Sequence, residues 1–257
     1  MAYIKKFPID TSQFTADEKK VVKKLVEAAE LIEPLYAKQK NPKYPGANFY
    51  PYDATKEEIQ KAAKKNAAIL NPYTFVERGK SGRLAAVPYS KKFTKELTAV
   101  AKLLREAAAL SKDKAFKAYL VARASDLLKD NLDKSNALWL QTDKSKIGFV
   151  IGPFDRYNDT LFFQKRVYTA WVGILDEKGT KEMESLQKTI LINERKFLPG
   201  AKRAHVSRMR LRIEDTIIFA GAEADSLFVA HNLPASADLY LIKKHGTISP
   251  VFTPIIE

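Results

Sequence analysis

The chain has 257 residues and no cysteine, which excludes disulfide scaffolds, thiolate metal sites and cysteine nucleophiles. Apolar residues make up 46% of it, ordinary for a globular protein and enough for a substantial core. Forty-four Lys and Arg against thirty Asp and Glu give a formal charge of +14, which attracts polyanions and makes an acidic ligand worth considering.

In chain order, MAYIKKFPID has no long apolar core behind its lysines, so it does not read as a signal peptide. No apolar run reaches the ~20 residues needed to cross a bilayer. With no cysteine, the expected setting is the cytoplasm, with no membrane partner. Residues 16–38 read as a helix whose buried stripe is Val21, Val22, Leu25, Ala28, Ala29, Ile32 and Leu35, with Pro34 as a kink or an early end. Its lysines, such as Lys19-Lys20 and Lys23-Lys24, fall in helical register. They lack the arginine–aromatic pattern of RNA-binding sheets, so no specific nucleic-acid partner is expected. Residues 41–54 combine three prolines with four aromatics and read as a packed irregular segment. Thr55 and Glu58 make a capping box for a helix running to about Leu70.

Residues Phe75-Val76 and Leu84–Tyr89 flank a Gly-Lys-Ser-Gly turn and suggest a short hairpin. The turn lacks the glycine spacing of a phosphate loop. Ser90 is placed to cap a helix over 91–110, and another helix spans 113–129. Residues 130–138 break it, and Trp139 anchors the link. Lys146–Gly152 and 164–175 read as strands. Thr180–Lys196 reads as a helix with Met183, Leu186, Ile190 and Leu191 inward, ending near Leu198-Pro199-Gly200. Strand alternation returns at Val206–Ala220, and a short strand is expected at Leu239–Lys243. The boundary between the mainly helical region, 1–140, and the strand-rich region, 141–257, is diffuse.

The chemistry is sparse. His205, His231 and His245 cannot place two imidazoles on one helical turn, and no histidine is followed by glutamate, so the paired-histidine zinc helix is absent. There is no nucleophile elbow and no Gly-x-Gly-x-x-Gly loop. The densest polar cluster is Asp155-Arg156-Tyr157-Asn158-Asp159, just after Gly152-Pro153. One reading is a turn whose aspartates cap the next element. The other is a rim that binds a cation or a peptide amine and donates a phenolic hydrogen bond. Asn232, in His231-Asn232-Leu233-Pro234, is either a turn residue or an amide able to meet a peptide backbone as donor and acceptor.

From about Pro51 onward the chain resembles the dipeptidyl peptidase III zinc metallopeptidases, peptidase family M49, and most nearly the bacterial and plant branch in which some members carry an attached nudix domain. Pro51-Tyr52-Asp53, Leu103–Ala108, Arg123-Ala124, Ser135 with Trp139, Ile151–Asp159, Leu161-Phe162, Lys165, Asn232-Leu233-Pro234 and Gly246-Thr247 carry the resemblance in order. It implies an α+β fold: helical segments plus a strand-rich, barrel-like lobe, the N-terminal portion of a two-lobed metallopeptidase. The family's zinc motif is not present before Ile255-Ile256-Glu257, so the resemblance also implies a further C-terminal zinc-binding half as partner.

By the same resemblance Asp155, where the family usually has glutamate, holds the amino terminus of a peptide substrate. Tyr157 is the catalytic residue that stabilises the oxyanion, and Asn232 binds the first substrate residues. Ala235 stands where the family often repeats an asparagine. Zinc is implied in the intact protein, and no cofactor is expected in this chain, which by itself is expected to be inactive. The expected function is the substrate-binding portion of a zinc-dependent exopeptidase acting on peptides. The alternative is a non-catalytic peptide- or polyanion-binding module.

Overall fold

The computed structural model describes residues 3–197, 209–234 and 239–253. Helix α1 (Ala16–Glu30) opens on a complete capping box, in which Thr15 and Glu18 each serve the other's backbone N–H. The apolar stripe continues past it, but the helix does not. Leu31 and Ile32 form a break, and Pro34 falls in the first turn of α2 (Glu33–Gln39), where its missing N–H costs nothing. The turn-rich segment 41–54 then buries Phe49 and Tyr50. Thr55 caps α3 (Lys56–Lys65) as expected, but the Glu58 carboxylate binds the Arg78 guanidinium through two bonds instead of returning to the cap.

The predicted hairpin is β2 (Thr74–Arg78) against β3 (Leu84–Pro88). The helix expected over 91–110 is split into α4 (Tyr89–Lys92) and α5 (Thr94–Leu110). Ser90 does not cap it: its N–H and hydroxyl both donate to Asp130. α6 (Lys114–Asp126) follows, and the presumed break after it contains α7 (Asp133–Trp139). Asp126 makes the turn between them by accepting from Ser135 N–H.

The main sheet centres on β6 (Met209–Gly221). One edge of β6 pairs antiparallel with β5 (Val167–Leu175), which pairs antiparallel with β4 (Ile147–Asp155). Its other edge is shared end to end by β1 (Ile4–Lys6) and by β7 (Thr247–Phe252), which runs parallel to it. The sheet stays open, which corrects the expectation of a barrel-like lobe. Closure requires the two outermost strands to pair with a consistent stagger. Here β4 ends one side and the short β1 and β7 end the other, with no pairing between them among the described residues.

β4 and β5 are apolar nearly throughout and buried on both faces. α1 and α2 pack against the sheet, α5 packs on α1, α6 on α5 and α7 on α6, and α6 also reaches β4 through Arg123 and Tyr119. Gly148 and Gly173 face each other across β4 and β5. A methyl group on either would fall on the Glu214 side chain. In that slot Glu214 accepts from the Arg212 guanidinium and from Trp171 Nε1 at 3.2 Å.

Two further expectations change. Residues 239–243 belong to a helix, α10 (Leu239–His245), and not to a strand. The long helix is α8 (Glu177–Phe197), but two residues of its expected inward stripe face solvent: Leu186 is 57% and Ile190 56% exposed, while Met183 is half-buried and nothing is described of the Leu191 side chain. The end expected at Leu198-Pro199-Gly200 lies outside the described residues, as do the first residues of the strand expected from Val206. No described helix is long and apolar enough to cross a membrane.

Candidate functional site: an acid cluster at the end of the sheet

Asp155 ends β4, just past a register irregularity at Pro153. The chain then turns through 156–166. Asp159 organises that loop and is fully buried. Its carboxylate accepts from the N–H groups of Phe162, Gln164 and Lys165 at 3.0–3.1 Å and from the Tyr50 hydroxyl at 3.1 Å. Asp159 is therefore the capping aspartate of the turn reading. Behind it, the buried Lys165 ammonium donates to Ile69 O at 2.6 Å, Asn71 O at 2.9 Å and Thr74 Oγ1 at 2.7 Å. Burial pulls its pKa down to about 7, opposed by the Asp159 charge.

Asp155 is different. Its Oδ2 is buried and has no hydrogen-bond partner. Burial raises its pKa, opposed by His231 and Arg166. The nearby acid is Glu223, which the sequence reading did not single out. It lies on α9 (Ala222–Ser226), the short helix that follows β6, and its N–H donates to Thr169 Oγ1 on β5 at 3.1 Å. One oxygen of Glu223 meets His231 Nε2 at 2.5 Å, and the other is buried without a partner. Burial raises the Glu223 pKa, and the Asp155 charge adds to the rise. Burial also pulls the His231 imidazolium down, but the Glu223 and Asp155 carboxylates outweigh it and leave the pKa above the ordinary histidine value. The cluster as a whole holds its protons, because two carboxylates share one imidazole. The signal for Glu223 was weak: it sits in an Ala-Glu-Ala stretch with no motif around it.

His231 is fixed from three sides. It stacks on Trp171 with ring centres 5.1 Å apart and planes 3° from parallel, and the edges of Phe228 and Phe252 close around it. Its backbone N–H donates to Pro250 O, and Leu233 bridges to Ile248, so segment 229–234 is pinned along β7. Asn232 is exposed there, with its Oδ1 accepting from Ser249 Oγ at 3.2 Å. Tyr157 is 69% exposed, with its ring 6.1 Å from that of Phe228. Asp155, Tyr157 and Asn232 therefore converge on one neighbourhood, Asp155 and Tyr157 from the loop after β4 and Asn232 from segment 229–234. None of the three bonds another.

Among the described residues, no three His, Asp or Glu side chains are grouped so as to hold a metal ion. His205 and Ala235 lie outside the described residues, and nothing is described of the His245 side chain.

No family model matches the chain. Among curated proteins it is 27% identical over 232 residues to nudix hydrolase 3 of Arabidopsis thaliana, an alignment covering 80% of this chain and 30% of that protein. Among solved structures it superimposes on dipeptidyl peptidase III from Caldithrix abyssi with a TM-score of 0.86 at 24% identity, over 95% of this chain and 56% of that one. The match to dipeptidyl-peptidase III from Corallococcus sp. strain EGB has a TM-score of 0.82 at 24% identity, over 96% and 56%. The chain thus spans about half the length of these structures and about a third of the curated relative. Over that span, its fold is the dipeptidyl peptidase III fold.

Proposed function

We propose that this chain is a peptide-binding element that grips the free amino terminus of a peptide at the Asp155–Glu223 acid cluster. The observation that carries the reading is the pair of buried carboxylate oxygens, Asp155 Oδ2 and Glu223 Oε1, each without a hydrogen-bond partner. A buried carboxylate oxygen left unpaired costs free energy, and an ammonium group with three donors relieves that cost. His231 serves only one oxygen of Glu223, so the donors of an ammonium ligand supply what the remaining carboxylate oxygens lack. In the same reading Asn232 meets the peptide backbone of the first residues, and Tyr157 offers its exposed hydroxyl to a peptide carbonyl. The fold shared with dipeptidyl peptidase III structures supports a peptide as the ligand.

Zinc does not fit the described residues, so no hydrolytic step is derived for them. We read the chain alone as binding without cleaving. Exopeptidase activity, if the whole protein has it, belongs to zinc ligands contributed by polypeptide beyond this span, with Tyr157 then placed as the oxyanion donor.

Calorimetric titration of a short peptide and of its N-acetylated form tests the reading. The free-amine peptide should bind roughly tenfold or more tightly, since a charge-assisted contact is lost on acetylation. Asp155→Asn should remove most of that preference. Equal affinities of the two peptides for the unmodified chain would refute it.

A further inference from the structure

Behind the acid cluster lies a second feature that peptide binding does not use. Arg123, on α6, is almost completely buried. Its guanidinium donates to Ile151 O at 3.2 Å and Asn136 Oδ1 at 2.6 Å, and its central carbon lies 5.4 Å from the ring centre of Tyr119 and 5.3 Å from that of Phe154. All of these partners are neutral. Among the described residues no carboxylate forms an ion pair with it, and its Nε has no hydrogen-bond partner. Gly152 makes room for this arrangement. It sits at φ +148°, and a side chain there would press on the guanidinium and on Phe154.

A buried cation without a counter-charge is among the most costly arrangements in a protein interior. The neighbouring side chains leave a small cavity against it, walled by Asn136, Trp139, Val150, Phe154 and Leu233-Pro234, with Arg166 on a further side. The cavity has room for a single small occupant. The Arg123 guanidinium is the cation of this lining that has no charged partner, since Arg166 also acts on Asp155, and most of the remaining wall is apolar. An oxyanion is too large and needs more donors than this wall offers. A halide is the right size, is weakly hydrated, and accepts a few donors alongside apolar contact.

We propose that this cavity is a halide site in which a chloride ion serves as the buried counter-ion of Arg123. Phe154 and Leu233-Pro234, two of its walls, adjoin Asp155 and Asn232 in sequence, so the ion sits directly behind the acid cluster. It neutralises positive charge on one side of the wall while the cluster keeps negative charge on the other. The proposal does not depend on whether the cluster binds peptides.

The experiment is bromide substitution. Crystals grown in sodium bromide should show an anomalous peak in the cavity within contact of the Arg123 guanidinium. In parallel, thermal unfolding is compared in sodium chloride, sodium bromide and sodium gluconate at equal ionic strength. The halides should raise the midpoint by roughly 3–6 °C at ten times the dissociation constant. Val150→Ile adds one methyl group to the cavity without touching a charge, and should abolish both the peak and the halide-specific shift. Absence of a bromide peak in the unmodified protein means a water molecule occupies the space and overturns the proposal. So do equal midpoints in halide and gluconate, or a halide shift that survives Val150→Ile.

Discussion

Replacing Lys165 with methionine gives a stability loss that depends on pH in a calculable way. The native ammonium is buried, and its pKa falls from 10.5 to about 7. In the unfolded chain it keeps the ordinary value. Below about pH 7 both states are protonated and the cost of burying the charge is fully present. Above that, the native state releases the proton and the unfolded state does not, so stability rises with pH until the unfolded lysine also titrates. Between about pH 7 and pH 9.5, at ~1.4 kcal/mol per unit, the gain is about 3 kcal/mol. Methionine fills similar space with no titratable group, so the variant lacks this slope.

At pH 6 the variant trades three hydrogen bonds and the loss of the Ile69 O donor, with Asn71 O still within reach of the Thr74 hydroxyl, against relief of a buried charge, and should lie close to the parent. At pH 9.5 it should be less stable by about 3 kcal/mol. Urea unfolding followed by fluorescence of the buried Trp139 and Trp171 measures this at each pH. Buried tyrosines contribute alike to both proteins and cancel in the difference. Parallel stability curves from pH 7 to 9.5 would refute the reasoning, because they would mean that Ile69 O, Asn71 O, Thr74 Oγ1 and the Asp159 charge together outweigh burial and keep the ammonium charged.

Two further outcomes are expected. Gly148→Ala forces a methyl group onto the Glu214 side chain and should cost on the order of 3 kcal/mol in thermal or urea unfolding, with a smaller cost in a Glu214→Ala background; an unchanged midpoint would remove the steric argument. Leu186→Glu with Ile190→Glu on α8 should change unfolding stability by no more than ~0.5 kcal/mol, because both side chains are already in solvent; a loss above ~2 kcal/mol would mean that they pack inward after all.

Helices α1, α3, α5 and α6, the hairpin and the buried strands β4 and β5 were legible because periodicity and burial coincide in them, as in Val21, Leu25, Ala28 and Ile32 or in the continuous apolar run of β4. α8 shows the limit of the same signal. Its stripe has the right spacing, but spacing reports that a face is apolar and not that anything covers it. The barrel was expected by resemblance. Strand count and alternation carry no information on whether edge strands meet, and here they do not. In the candidate site, Asp155, Tyr157 and Asn232 were singled out from local chemistry and resemblance and lie in one neighbourhood, and Asp159 was recognisable as a turn residue. Glu223 was not, because its significance arises from β6 delivering α9 beside the end of β4, a long-range placement with no local signature. Residues 239–243 fall to the helical alternative because a short apolar run of five fits either period.

The slot between Gly148 and Gly173 has an evolutionary consequence. Glu214 enters the sheet only where two facing strands both lack a side chain, and Arg212 and the Trp171 indole then depend on its carboxylate. None of these positions can drift alone: a larger residue at either glycine evicts the acid, and loss of the acid strands a buried guanidinium. Homologues should therefore divide into two groups, those that keep both glycines with the acid and its arginine, and those that have exchanged the whole set for an apolar filling. Lineages with only part of the set should be rare, and the pattern can be read from aligned sequences without a structure.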